Sequence, residues 1–177
     1  MWRLRDFKRR LQKLWYWLPI IWKDRDYDDY YIFEILKHKL KSQAEYIGKR
    51  DIHTRAQQDS RRMKLCVSLI EKIQDETYAM EYIDYLKDEF RFEDCKDIKG
   101  YKELHIDIIS ENLDDYFKKY PLIYKRVLKG EGSFSLDGRD TAEISKLIAM
   151  NIGQVNQERA HKLLFKIMEE NILGWWD

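Results

Sequence analysis

The sequence contains little glycine, proline or cysteine: seven, two and two, respectively, among 177 residues. Sheets and loops need turn residues, so this scarcity favours long helices. Cys66 and Cys95 lie far apart and form no Cys-x-x-Cys pair, so neither a disulfide framework nor a zinc knuckle is indicated. This use of cysteine predicts a reducing, intracellular compartment.

Long apolar runs and an excess of charge are also missing. No run reaches the length of about 18 residues that a membrane-spanning helix needs. The stretch "LWYWLPIIW" is followed by "KDRD" and has no small-residue cleavage site, so a secretory signal is not predicted and a cytoplasmic location is expected. A net charge of +1 excludes a molecule-wide basic field for nucleic acid.

The apolar periodicity predicts an all-α fold: an irregular helical bundle in one domain, residues 1–177, around a long central helix. A less regular insertion is expected at 91–139. "LHIDI" and "SFSL" alternate there and leave room for a minor two-stranded element, although a helix starting before Leu113 competes for the first segment. The predicted helices cover Trp2 to Leu18 (ended by Pro19), Asp28 to Ile47 (ended by Gly48), Thr54 to about Phe90 (kinked near Thr77), Glu111 to about Lys119 (with Ser110 as N-cap), Pro121 to about Leu128, and Thr141 to about Leu173 (with Asp140 as N-cap).

The last of these helices has two apolar phases. One face carries Ile144, Ile148, Ile152 and Val155, and a face rotated away from it carries Ala160, Leu163, Leu164 and Ile167. One long helix could bury both faces, or two helices could meet near Asn151 to Gly153.

The second arrangement resembles a helix-turn-helix between Thr141 and Leu164. Its second helix would present residue types that read base edges: Gln154, Asn156, Gln157 and Arg159. Glu158 occupies a position that the motif fills with an apolar side chain, and residues 139–177 carry five bases against six acids. The competing interpretation is a core helix with a bend at Gly153, and it is favoured.

The N-terminus is basic and rich in tryptophan. Arg9 and Arg10 lie near Trp15, Trp17 and Trp22, a combination that suits stacking on nucleic-acid bases or an amphipathic helix on anionic lipid. Aromatic side chains at helical spacing also pack into cores, and this interpretation is favoured. The aromatics of "KLWYWLPIIWKDRDYDDYY" are therefore expected to lie mostly against the bundle.

Two further sets are candidate contacts. Arg55 and Arg62, seven residues apart, could clamp a phosphate or a partner's carboxylate, although a solvated helix face is the simpler interpretation. Trp175 and Trp176 close the sequence and must either dock on the bundle or meet another molecule, with docking favoured.

The sequence gives little support for catalysis. Glu34 and His38, four residues apart, could share a metal site with His53 or Asp59, yet the repeated carboxylate and histidine sets of a di-metal bundle are missing. There is no P-loop, no Gly-x-Ser-x-Gly and no Gly-x-Gly-x-x-Gly. No cofactor is expected, and a metal-dependent enzyme is the least favoured function.

Three stretches together carry a resemblance: "YWLPIIWKDRDYDDYYIFEILKHKL", "RRMKLCVSLIEKI" and "LLFKIMEENILGWWD". They resemble small, uncharacterised helical proteins encoded by tailed bacteriophages. The resemblance implies a viral accessory protein in the bacterial host cytoplasm, and it carries no activity and no site residue. The sequence thus predicts a non-catalytic protein that binds and occludes a host or viral macromolecule. A protein is the expected partner, and a nucleic acid or a nucleotide ligand is the alternative.

Overall fold

The computed structural model describes residues 2–23, 30–51, 53–94, 100–109, 112–137 and 141–175. The fold is mostly α-helical with one two-stranded sheet, as predicted. The predicted N-caps Ser110 and Asp140 and the start of the second helix at Asp28 lie outside these residues. The elements are α1 (Trp2–Ile21), α2 (Tyr30–Arg50), α3 (Ala56–Gln74), α4 (Thr77–Met80), a 3₁₀ helix (Glu81–Tyr85), β1 (Lys87–Asp94), β2 (Lys102–Ile109), α5 (Leu113–Lys119), α6 (Pro121–Val127), α7 (Thr141–Asn171) and a second 3₁₀ helix (Ile172–Gly174).

These elements fall into two compact units. Unit 1 comprises residues 1–74 and 164–177, and unit 2 comprises residues 75–163. The single domain expected from the sequence stays a prediction. In the part of the chain that the structure describes, no helix has the length and apolar character to span a membrane.

In unit 1, α2 and α3 pack side by side. Leu40, Ala44 and Ile47 from α2, with Met63 and Ile70 from α3, are buried. Proline was expected to end α1, and this was wrong: Pro19 lies inside the helix. It lacks the amide hydrogen that would bond to the Trp15 carbonyl, but it stands in the last turn. The chain continues the turn beyond it, since the Trp22 amide bonds to the Leu18 carbonyl at 2.9 Å.

The end of α2 also differs from the prediction. Gly48 was expected to cap it, but the helix runs on to Arg50, and Asp51 adopts the left-handed backbone conformation that follows a helix end, with φ of 47°. Gly48 instead allows a close approach of α3, because a Cβ atom there would lie 2.6 Å from the Ser60 hydroxyl oxygen.

The long central helix to Phe90 was wrong. Helix α3 ends at Gln74, and the left-handed backbone of Glu76, with φ of 49°, interrupts the helix before α4 begins. A kink was expected near Thr77, and the helix is fully interrupted just before it, although the apolar spacing of Met80 and Ile83 continues past the break. The residues around Phe90 form β1, which pairs with β2 in antiparallel register.

In unit 2, α5, α6 and the first part of α7 build the core. Leu113, Tyr116, Ile123, Val127 and Ile152 are among its buried members. Strand β2 contains "LHIDI", where a strand and a helix were the alternatives, whereas "SFSL", the other segment of the possible two-stranded element, forms no strand. There the Asn151 side chain pairs with the Phe134 backbone, donating to its carbonyl at 2.9 Å and accepting from its amide at 3.0 Å.

Helix α7 is continuous through Gly153. The helix-turn-helix geometry is therefore wrong for this segment, and the interpretation of one long helix burying two faces is confirmed: Ile148 and Ile152 are buried on one face, and Ala160 and Leu164 on the other. Gly153 is required by packing, because a Cβ atom there would lie 2.7 Å from the Ala79 carbonyl oxygen.

Candidate functional site

One face of α1 is apolar and exposed along most of the helix. Five of its residues follow a 4-3-4-3 spacing, and two tryptophans lie beside them, so that the set spans an arc of roughly 120° at 100° per residue. The exposed fraction ranges from 36% at Leu18 to 83% at Trp22. We call this face the α1 strip; its residues are Phe7, Leu11, Leu14, Trp15, Leu18, Ile21 and Trp22.

The other side of α1 packs on α2. The Tyr16 and Trp17 rings lie 4.0 and 4.8 Å from the His38 ring, measured between centroids. Burial lowers the pKa of His38, and the nearby Glu34 carboxylate only partly offsets this. The α1 strip therefore lies on a different side of the helix from the two rings that contact α2.

Bases border the strip. Lys8 and Arg10 fall at its two edges on the helix, Arg9 and Lys13 lie farther round, and all four side chains are exposed. Over its full length α1 carries six Lys or Arg against one acid. The strip thus combines apolar surface with a strongly positive surround.

The expectation that the N-terminal aromatics mostly pack against the bundle was wrong. Trp15, Trp22 and Tyr30 are exposed, and only Trp17 of the three candidate tryptophans is half-buried. Helix α1 is apolar on two sides, and a periodicity analysis cannot tell which of the two α2 covers. Sequence reasoning also missed Ile21 and Lys8; the 4-3-4-3 spacing continuing past Pro19 is the signal that would have found Ile21.

Of the two candidate clamp residues, Arg62 is engaged by an acid of its own helix. Arg62 donates to the buried Asp59 carboxylate at 3.2 Å, and His53 Nδ1 lies 4.0 Å from the other carboxylate oxygen. Arg55 is exposed just before α3, where its backbone carbonyl accepts the first helical bond from Asp59. Arg62 therefore neutralises a buried charge inside unit 1.

The C-terminal tryptophan candidate is a core residue. Trp175 is 1% exposed, so its indole is not available to another molecule in this conformation. Trp176 lies outside the described residues. At Trp175 the structure agrees with the docking on the bundle that the sequence favoured.

The candidate metal pair is engaged in other contacts. Glu34 forms an ion pair with Lys37, and the His38 ring contacts the rings of both Tyr16 and Trp17. Burial raises the pKa of Glu34, but hydrogen bonds from Lys37 and Gln74 more than offset it, and the pKa is lowered overall. Within the described ranges, no group of three or more His, Cys, Asp or Glu residues could hold a metal ion.

Three of the four candidate base-reading residues are buried or half-buried. Asn156 is buried, Gln157 is half-buried, and Gln154 donates to the Ser133 hydroxyl at 2.7 Å, whereas Arg159 is exposed. Gln154 and Gln157 line a groove of about 340 Å³ in unit 2, together with Met80, Met150, Phe134, Glu76, Glu158, Ala79 and Tyr82. Nucleic-acid binding stays a prediction, without the helix-turn-helix on which it was based.

Comparison with protein-family models, with curated proteins and with solved structures found no match.

Proposed function

We propose that this protein is a non-catalytic binding protein that engages a partner protein through the α1 strip. The mechanism is occlusion: the strip covers a surface that the partner needs for its own contacts. No cofactor takes part.

The observation that carries the proposal is the exposure of the strip. Soluble proteins rarely leave large contiguous apolar patches in water unless these patches bind something. The strip contains Trp15 and Trp22, and tryptophan and arginine are enriched among the residues that dominate binding energy at interfaces. An amphipathic helix that offers apolar side chains at regular spacing suits a groove on another protein.

The charge of α1 defines the partner's chemistry. A groove with an apolar floor and acidic edges would meet the strip and place carboxylates near Lys8 and Arg10. Two α1 helices packed strip to strip would bring these bases of the two copies together, so a second α1 is disfavoured. The proposed partner is thus a protein with an acidic, helix-accepting groove.

The resemblance to phage-encoded helical proteins supports a further part of the proposal, which is where the protein acts. In that setting the protein is a viral accessory protein in the bacterial cytoplasm, and the occluded surface belongs to a host or viral protein.

The test is affinity capture from bacterial lysate with three forms of the tagged chain. The strip variant is Trp15→Ala with Trp22→Ala, the charge variant is Lys8→Glu with Arg10→Glu, and the wild type is the reference. A protein captured by the wild type should be lost from both variants, since removing a central tryptophan at an interface costs about 2 kcal/mol or more, roughly thirtyfold in affinity.

The matched control is Tyr46→Ala with Leu65→Ala, which removes exposed apolar surface of unit 1 outside the strip. It should capture the same protein as the wild type. Undiminished capture by the strip variant would contradict the proposal. So would binding to vesicles containing anionic lipid that depends on Trp15 and Trp22 while no protein is captured, because the strip would then be a membrane surface.

A further inference from the structure

The β1–β2 hairpin of unit 2 is a two-stranded sheet whose main contacts are between its own strands. Both strands are eight residues long. An isolated two-stranded hairpin is only marginally stable in water, and three or more strands or a covering layer normally support one.

The register divides the hairpin into two unlike faces. Phe92 pairs with Leu104, and Phe90 lies two residues before Phe92 on the same face. These three side chains are between 47% and 64% exposed, so the apolar face is open to solvent. The other face is charged, and there His105 lies 3.7 Å from Glu93 and 3.9 Å from Glu103.

We propose that this apolar face, carrying Phe90, Phe92 and Leu104, is covered by the same face of a second copy of this chain. Stacked sheets lie about 10 Å apart, so the aromatic side chains of the two copies would interdigitate. This self-association is independent of the α1 strip and goes beyond the proposed function.

Charge complementarity supports a second copy as the occupant. The next pair along the apolar face is Asp94 with Lys102, both exposed. A two-fold axis parallel to the strands places Asp94 of one copy opposite Lys102 of the other, and symmetry repeats this contact. An axis across the strands would instead set these groups about 20 Å apart, at opposite ends of the sheets.

The charged face has no such complementarity. The same parallel axis would place Glu93 of one copy opposite Glu103 of the other, and like charges in direct opposition are destabilising. The apolar face is therefore the self-complementary one.

The size of the face sets the strength of the contact. Two strands of eight residues cover roughly 26 Å by 10 Å, about 250 Å² in projection, which is well below the roughly 800 Å² per partner of a stable complex. We therefore expect a weak dimer that forms as concentration rises.

Sedimentation velocity of the full chain from about 1 µM to about 1 mM tests this. The wild type should shift from monomer toward dimer across that range. Phe92→Glu should stay monomeric, and Trp15→Ala with Trp22→Ala should dimerise like the wild type. Circular dichroism of each variant confirms that it has folded.

A charge swap tests the orientation. Asp94→Lys and Lys102→Asp should each weaken association several-fold, and the double variant should restore it. Glu89→Gln, which lies on the charged face, is the control and should change nothing. The proposal would be overturned if the wild type stays monomeric over this range. It would also be overturned if Phe92→Glu still dimerises, or if the double charge swap does not restore association.

Discussion

Replacing Gly48 by alanine tests how closely α2 and α3 approach each other. A Cβ atom at Gly48 would lie 2.6 Å from the Ser60 Oγ and 3.2 Å from the Ser60 Cβ. Ser60 cannot easily turn away, because its buried hydroxyl donates to the Ala44 carbonyl at 2.8 Å.

Two opposing effects determine the result. Alanine in place of glycine in a helix interior stabilises by about 0.5–1 kcal/mol. Overpacking a tight contact costs about 1–3 kcal/mol. We expect the cost of overpacking to exceed the gain from alanine, so that Gly48→Ala lowers the free energy of unfolding by about 1–2 kcal/mol.

A double-mutant cycle with Ser60→Ala isolates the contact. Ser60→Ala alone loses one hydrogen bond, worth about 1 kcal/mol. In the Gly48→Ala background it also removes the atom at 2.6 Å, so the double variant should be more stable than the sum of the single effects by about 1 kcal/mol.

Urea unfolding followed by circular dichroism measures all four proteins. Gly174→Ala is the control, since an added Cβ there meets nothing within 4 Å. If Gly48→Ala is more stable than the wild type, or if the two effects in the cycle are additive, the close approach of α2 and α3 at Gly48 is refuted.

Three further predictions concern unit 1. Trp175→Ala should cost about 3–5 kcal/mol in thermal or urea unfolding, and Trp175→Phe clearly less, because the buried indole nitrogen has no hydrogen-bond partner to lose among the described residues; equal losses would contradict this. Because the pKa of His38 is lowered from 6.5 in the folded chain, the unfolded chain takes up the proton first, and stability should fall as the pH drops below about 6.5. His38→Gln should weaken this pH dependence of the melting temperature, and an unchanged slope would exclude His38 as its source. Burial raises the pKa of Cys66 to about 11, so in a Cys95→Ser background a thiol reagent at about pH 8 should label Cys66 only after unfolding; rapid labelling of the folded protein would contradict its burial.

Much of the helical content could be predicted from the sequence. Helices α1, α2, α5 and α6 and the strand at Leu104 follow from apolar spacing and from Pro121 at a helix start. These signals depend only on residues that are close in sequence, and the observed helices and strand agree with them.

Two of the errors have one physical cause, which is that the deciding contact is distant in sequence. Gly48 and Gly153 were assigned to a helix end and a bend, but both are small because another segment passes close to them. Strand β1 was assigned to a helix, although the alternation of Phe90 and Phe92 in "EFRFED" is a strand signal that a break at Glu76 would have made decisive.

The candidate site was predicted in part. Trp15, Trp22, Arg9 and Arg10 are exposed on α1, whereas Arg62 and Trp175 serve the interior of unit 1. Composition and spacing identify an amphipathic helix, but they do not show which of two apolar sides a neighbouring helix covers.

The discontinuity of unit 1 has a consequence for synthesis on the ribosome. Residues 1–74 are synthesised well before residues 164–177, although both segments belong to the same unit. The tryptophan that fills part of its interior, Trp175, is thus synthesised about a hundred residues after the segment it joins, a delay of roughly 5–20 seconds at typical elongation rates. During this interval unit 1 is incomplete, so residues 1–74 cannot reach their final packing before the end of α7 and Trp175 have been synthesised.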